Sequence, residues 1–379
     1  MKIASRLVSF DPAPGDRFRP ISTPIYQTAT YEQEFSDQFG EYDYSRSGNP
    51  TRAVVEKQIA SLENGSHGYC FSSGMAAITT ATKLLQHGDE ILADNDLYGG
   101  TCRLFTKVLK RTGIAAKYAD ACDLENFERQ ITPKTKLIYV ESPTNPLMVL
   151  TDIAAVAQIA HARGIEVSVD NTFMSPALQS PIKLGADIVM HSTTKFLNGH
   201  SDGLGGALIG TTPEHKERFL LVQKAAGGIM SPFEAFLVLR GIRTLPLRMR
   251  QHEENGRAVA EFLSSQPKIK RLSYPGLKSH PQYELAVRQQ KGFGSMLSMD
   301  LGTRENCAKF LAALKIFLNA ESLGGVESLA SHSATTTHAT VSAEDREAMG
   351  ITEGMIRLSV GIEDKEDLIA DLEQALAAF

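Results

Sequence analysis

From about residue 65 to residue 210 of this 379-residue chain, short apolar runs alternate with stretches of helical period, and that alternation narrows the possible folds more than any other feature. Tyr69-Cys70-Phe71, Glu90-Ile91-Leu92-Ala93, Leu137-Ile138-Tyr139-Val140, Val167-Ser168-Val169, Asp187-Ile188-Val189-Met190 and Gly206-Ala207-Leu208-Ile209 read as strands. The stretches 74–86, 100–111 and 152–163 read as helices. In the first, Met75, Ile78, Ala81 and Leu85 share one face; the last is ended by Gly164. Strands joined through helices run parallel and are covered on both faces, so the expected class is α/β with a mostly parallel sheet.

A helix-rich segment over about 232–264 leads away from this unit. Beyond it, the stretches 296–301 and 356–360 alternate apolar with polar, and helical patterns follow at about 303–314 and 365–378. That is the pattern of a smaller α/β domain whose sheet is covered on one side. Residues 1 to 48 carry Pro12, Pro14, Pro20 and Pro24 and no long apolar period, so they are expected to be irregular. An arm of this kind builds no core and is expected to lie on a neighbouring subunit. The expected division is an arm at 1–48, a large domain at 49–245 and a small domain at 246–379.

Composition excludes several classes. Hydrophobic residues make up 42% and charged residues 22%, with a formal net charge of -5 and no long run of either sign, which argues against nucleic acid or a membrane surface as partner. Cys70, Cys102, Cys122 and Cys307 form neither a C-x-x-C pair nor a disulfide framework. The N-terminus has no apolar core of signal-peptide length, and no stretch approaches the roughly 18 apolar residues of a membrane span. A cytoplasmic protein is expected.

Residues suited to chemistry cluster at the carboxyl ends of the expected strands, where a parallel sheet binds its ligands. Lys195 stands just beyond an apolar strand, among Ser192, Thr193 and Thr194. Its amine can form a Schiff base with an aldehyde cofactor, and the Ser192 and Thr194 hydroxyls can hold a phosphate. Gly74 and Met75 open a helix whose first N–H groups suit an anion. Asp170 ends another strand and can pair with a protonated pyridine nitrogen. Tyr98, beside Gly99 and Gly100, can stack on a flat ring. Asn145, in a proline-framed turn, can donate to a ring oxygen or a carboxylate, and Arg357 within an apolar strand can grip a carboxylate. Together these are the parts needed for pyridoxal phosphate (PLP) acting on an amino acid.

Long stretches then carry a resemblance. Tyr42 to Arg52, Ser72 to Ala77, Glu141 to Pro146, Val169 to Phe173, the Lys195 segment, Glu321 to Gly325 and Arg357 to Asp364 resemble, in order and nearly end to end, the Cys/Met-metabolism family of PLP enzymes. The resemblance implies the type I PLP-dependent transferase fold, aspartate-aminotransferase-like. It implies that Lys195 carries PLP and moves protons, that Asp170 pairs with the pyridine nitrogen, and that Tyr98 stacks on the ring and helps activate the amino group. Gly74, Met75, Ser192 and Thr194 resemble the phosphate binders. Tyr44 and Arg46 resemble a pair that reaches the phosphate from a neighbouring subunit, in a homotetramer of two active dimers. Asn145, Ser322 and Arg357 resemble the carboxylate-binding and lysine-positioning set.

Within the family, Glu321 before Ser322 resembles the γ-synthases and γ-lyases, and the runs 288–294 and 327–335 resemble γ-synthases. Residues 22–29 also resemble plant-type β-lyases, while Gly100 stands where methionine γ-lyases usually carry cysteine. The expected reaction is replacement of the γ-acyloxy group of an O-acyl-homoserine by the thiol of cysteine, giving cystathionine; the alternative is cleavage of cystathionine by γ- or β-elimination. Three other classes compete. Ser192-Thr193-Thr194-Lys195 matches the S-x-x-K of serine acyltransferases, but neither K-T-G nor S-D-N accompanies it. His332 and His338 share a polar loop at a spacing that fits no common zinc pattern, so no metal is expected. A non-catalytic binding module on the same fold is the third.

Overall fold

The structure is a computed structural model that describes every residue except 36, 37, 39, 337, 338 and 340–342. Its larger sheet has seven strands: β1 (His67–Phe71), β2 (Glu90–Asp94), β3 (Ala115–Ala119), β4 (Thr135–Glu141), β5 (Glu166–Asp170), β6 (Ile188–Ser192) and β7 (Gly206–Gly210). They lie in the order β1-β7-β6-β5-β4-β2-β3, with β7 antiparallel to both neighbours and the other pairs parallel. Alternate residues feed two different cores. Val140, Val169 and Val189 pack on one side with Ile59 and Leu62, whereas Tyr139, Ile188 and Met190 pack on the other with Ile78 and Phe105. Period-two alternation between two apolar layers explains why these strands read as continuous hydrophobic runs.

The smaller sheet comprises β8 (Arg271–Ser273), β9 (Met296–Asp300), β10 (Leu318–Asn319), β11 (Leu329–His332) and β12 (Met355–Ser359), in the order β10-β11-β12-β9-β8. Its apolar face is covered by the helices Leu245–Ser264, Arg304–Ala313 and Lys365–Leu376, through Leu263, Phe310, Leu372 and Leu358. The two units share packing, because Met296 and Leu323 enter a core of the large sheet.

The helix-rich segment 232–264 is two helices, Pro232–Ile242 and Leu245–Ser264, since Pro246 lacks the N–H that a continuous helix needs. Three expectations change. The stretch 100–111 is a short α-helix, Gly99–Arg103, followed by a π turn and a 3₁₀ turn that close at Gly113 with φ +76°. The helix expected at 74–86 stops at Thr82. The N-terminal arm is not wholly irregular: Ile3–Val8 is helical, Leu7 is fully buried in a core of the large sheet, and Arg6 donates to the Ser61 carbonyl at 2.6 Å. The beginning of the arm therefore docks on its own chain. No helix among the described residues is long and apolar enough to cross a membrane.

Candidate active site

Strands β5 and β6 run side by side, with Asp170 opposite Met190, and both end at one cavity of about 380 Å³. Met190 and Ser192 line it, and the chain then turns through Thr193 and Thr194 into Lys195. Strand β4 ends in register beside them, with Glu141 opposite Asp170. From the other sheet, β12 contributes Arg357, and the connection between β10 and β11 contributes Glu321 and Ser322.

The Lys195 amine donates to Ser322 Oγ at 2.6 Å. Burial pushes its pKa down to about 8; the Arg357 charge adds to the depression and Glu321 opposes it. An amine poised near neutrality suits both condensation with an aldehyde and proton transfer. Arg357 donates to Asn145 Oδ1 at 3.0 Å and to the Ser322 carbonyl at 2.7 Å, while its Nε has no partner. A buried guanidinium with an unused donor is suited to bind a carboxylate.

Other groups of the cavity wall are suited to an anion. Ser73 caps the helix Gly74–Thr82, accepting from Ala76 N at 3.1 Å, which leaves the N–H groups of Gly74 and Met75 free of the cap. Close approach is built into the backbone here: a Cβ on Gly206 would come within 2.3 Å of the Ser73 carbonyl oxygen. Thr194 Oγ1 accepts from Gly205 N at 3.0 Å, and Ser192 N donates to Thr172 Oγ1 at 2.9 Å.

Asp170 also lines the cavity and is almost wholly buried. It accepts from Thr172 N at 3.0 Å and from the Tyr139 hydroxyl at 3.4 Å. Burial raises its pKa, against the hydrogen bonds from Thr172 that lower it. Glu141 beside it is raised well above the carboxylate range, first by burial and then by the Asp170 charge. Two adjacent buried carboxyls in a cavity wall form a site that calls for a cation. Glu141 also accepts from Tyr98 N at 3.0 Å, which fixes the turn carrying the Tyr98 ring.

Eleven of the expected residues thus line one cavity: Gly74, Met75, Tyr98, Asn145, Asp170, Ser192, Thr194, Lys195, Glu321, Ser322 and Arg357. Tyr44 and Arg46 do not line it. They are exposed, with the Arg46 guanidinium over the Tyr44 ring and bonded to the Lys224 carbonyl. Among the further lining residues with no role assigned from sequence are Glu141, Arg103, Thr172 and Thr336. Glu141 was within reach of sequence reasoning, because it ends an apolar strand as Asp170 does. Arg103 was not, because nothing local marks one helical arginine as cavity-facing. The Lys195 amine bonds Ser322 and not Ser192, the serine of the S-x-x-K match. His332 bonds Thr335 and the Glu353 carbonyl, and His338 lies outside the described residues.

An aldehyde within reach of Lys195, a ring cation against Asp170 and a phosphate at the start of a helix fit this cavity together. Fold and site define a PLP-dependent enzyme of the type I class. The chain belongs to the Cys/Met metabolism PLP-dependent enzyme family, whose model matches residues 5–377, and PLP is its cofactor. It is 49% identical over 356 residues to a cystathionine γ-lyase of Bacillus subtilis, with 94% of each chain covered. It is 46% identical over 369 residues to a cystathionine γ-synthase of Mycobacterium tuberculosis, covering 97% of this chain and 93% of the relative. Among solved structures, a cystathionine γ-lyase from Lactobacillus plantarum complexed with L-serine superposes with a TM-score of 0.97 at 43% identity, covering 100% of this chain and 99% of that one.

Proposed function

We propose that this enzyme acts at the γ-carbon of a four-carbon amino acid, replacing the acyloxy group of an O-acyl-homoserine by the thiol of cysteine to give cystathionine. One observation supports the reading: Arg357, suited to an α-carboxylate, and Glu321, suited to the ammonium of a second amino acid, line the same cavity as the Lys195 amine, and the charges of both act on that amine. Bound PLP supplies an aldehyde carbon that condenses with an amine, and a ring that takes up the electron pair of the substrate's α-carbon.

The chain's own residues do the rest. Arg357, held by Asn145 and Ser322, fixes the carboxylate and so the direction of the α-carbon–hydrogen bond. The Lys195 amine removes the α-proton and moves a second proton at the β-carbon, which lets the γ-substituent leave. Asp170 keeps a positive charge on the ring nitrogen. Tyr98 flanks the ring and helps activate the amino group. Gly74, Met75, Ser192 and Thr194 hold the phosphate. Tyr44 and Arg46 complete the phosphate site of a neighbouring subunit, in a homotetramer of two active dimers.

A second reading, elimination from cystathionine, is favoured by the γ-lyase names of two of the three relatives above. Product analysis separates the two. The holoenzyme is incubated with acetyl-, succinyl- or phosphoryl-homoserine plus cysteine, and separately with cystathionine alone. Faster formation of cystathionine supports the synthase; faster release of thiol amino acid and keto acid from cystathionine overturns it in favour of a lyase.

A further inference from the structure

Glu63 is the last residue of the helix Pro50–Glu63 and is fully buried. Its Oε1 accepts two hydrogen bonds, from Asn171 Nδ2 at 2.7 Å and from His191 Nε2 at 2.5 Å. A carboxylate only accepts, so the His191 proton in this pair sits on Nε2. Asn171 directly follows Asp170 at the end of β5, and His191 directly precedes Ser192 on β6. Side chains alternate along a strand. Asp170 and Ser192 therefore face the cavity, while Asn171 and His191 face the helix that carries Glu63.

The bracing extends further behind the cavity. Asn171 Oδ1 accepts from Gln179 Nε2 at 3.0 Å, and the same nitrogen donates to the Ser142 carbonyl at 2.8 Å. Gln179 Oε1 accepts from Gln289 at 3.2 Å and from Gln290 at 3.1 Å. Glu63, Asn171, Gln179, His191 and Gln290 are all buried, so solvent does not take over a bond that is lost here.

We propose that Glu63 is a positioning residue: through Asn171 and His191, one carboxylate oxygen sets the separation of Asp170 from Ser192, and with it the fit of the cofactor's ring-nitrogen and phosphate ends. This rests on the reading of Asp170 and Ser192 as PLP ligands. PLP joins ring nitrogen to phosphorus through a rigid pyridine ring and a short –CH2–O– link, which limits how far the two can be drawn apart, so its affinity depends on the spacing of the two grips. A ligand held at one end only does not sense that spacing.

The test uses full-length protein carrying Glu63→Gln or, separately, His191→Gln. Each substitution keeps the side chain's approximate volume but removes the charged acceptor or the imidazole. Circular dichroism establishes folding, and the visible absorption of bound PLP and competition by inorganic phosphate give two dissociation constants. The PLP constant is expected to rise about 10- to 100-fold, the range typical of lost outer partners of a ligand set, while the constant for inorganic phosphate changes by less than about threefold. A folded variant with wild-type PLP affinity overturns the proposal. So does an equal loss for PLP and phosphate, which would mark a local defect at Ser192. If the wild-type protein takes up no PLP, it is the cofactor reading of Asp170 and Ser192 that fails, and the clamp with it.

Discussion

The Lys195 amine lies 2.6 Å from the Ser322 hydroxyl although 127 residues separate them. Ser322 comes from the smaller sheet's side of the cavity and holds an unfavourable φ of +92°. Its carbonyl accepts from Arg357, so a single strained residue joins the Lys195 amine to the Arg357 guanidinium.

Removal of the hydroxyl should separate these roles. Ser322→Ala is expected to bind PLP normally and to lower kcat about tenfold or more, since a positioned proton acceptor contributes about 10²–10⁴ and only part of that depends on the tether. Ser322→Gly also relieves the left-handed strain, and should be more stable than Ser322→Ala by about 1 kcal/mol. Steady-state kinetics and thermal unfolding measure the two effects. A Ser322→Ala enzyme with wild-type kcat would show the tether to be idle.

The amine's own titration is accessible in PLP-free protein. A lysine depressed to about 8 is mostly unprotonated at pH 9, where an ordinary lysine near 10.5 is not. Acylation of Lys195, followed by peptide mass mapping, should therefore rise with pH through about 8. Glu321 favours the protonated form, so Glu321→Gln should move that rise to lower pH. A midpoint at the ordinary lysine value would contradict the burial argument.

Arg357→Lys retains the charge but not the fork that reaches both Asn145 and Ser322. The KM for each amino-acid substrate is expected to rise on the order of 30-fold or more, from about 2 kcal/mol or more of lost charged hydrogen bonding, with PLP affinity nearly unchanged. Parallel kinetics and PLP titration distinguish this from general damage, which would weaken both.

Stability should depend on pH through a group remote from the reacting atoms. Burial and the neighbouring Asp96 push the Asp94 pKa up to about 7, from 3.8. The folded state then keeps a proton that the unfolded chain has lost. Asp94's contribution is full below about pH 4 and disappears as pH rises through about 7. Melting temperatures between pH 4 and 8 should fall more steeply for wild type than for Asp94→Asn. Parallel curves would remove Asp94 from the account.

Local sequence carries the framework because its signals are local. Val167 to Asp170 and Ile188 to Ser192 are apolar runs because they are buried on both faces, and the polar residues that end them mark where the sheet opens to a ligand. Strand β3, Ala-Ala-Lys-Tyr-Ala, was not legible. It is an edge strand, half exposed, and Lys117 reaches Glu90 at 3.2 Å instead of packing into a core. The two-residue β10 is too short to show a period at all. Neither the break before Leu245 nor the π turn after Arg103 alters the apolar pattern enough to be read from it.

The sequence by itself determined the α/β class, the cofactor chemistry and most of the residues at one end of the sheet, since strand period and motif spacing act over a few residues. Only the tertiary structure decided that Ser322 touches Lys195, that Glu141 shares the cavity wall with Asp170, and that Glu63 braces two strand ends from behind. Each of these contacts joins segments far apart in the chain. Their geometry is fixed by how helices and sheets pack, and no local pattern of residue types encodes it.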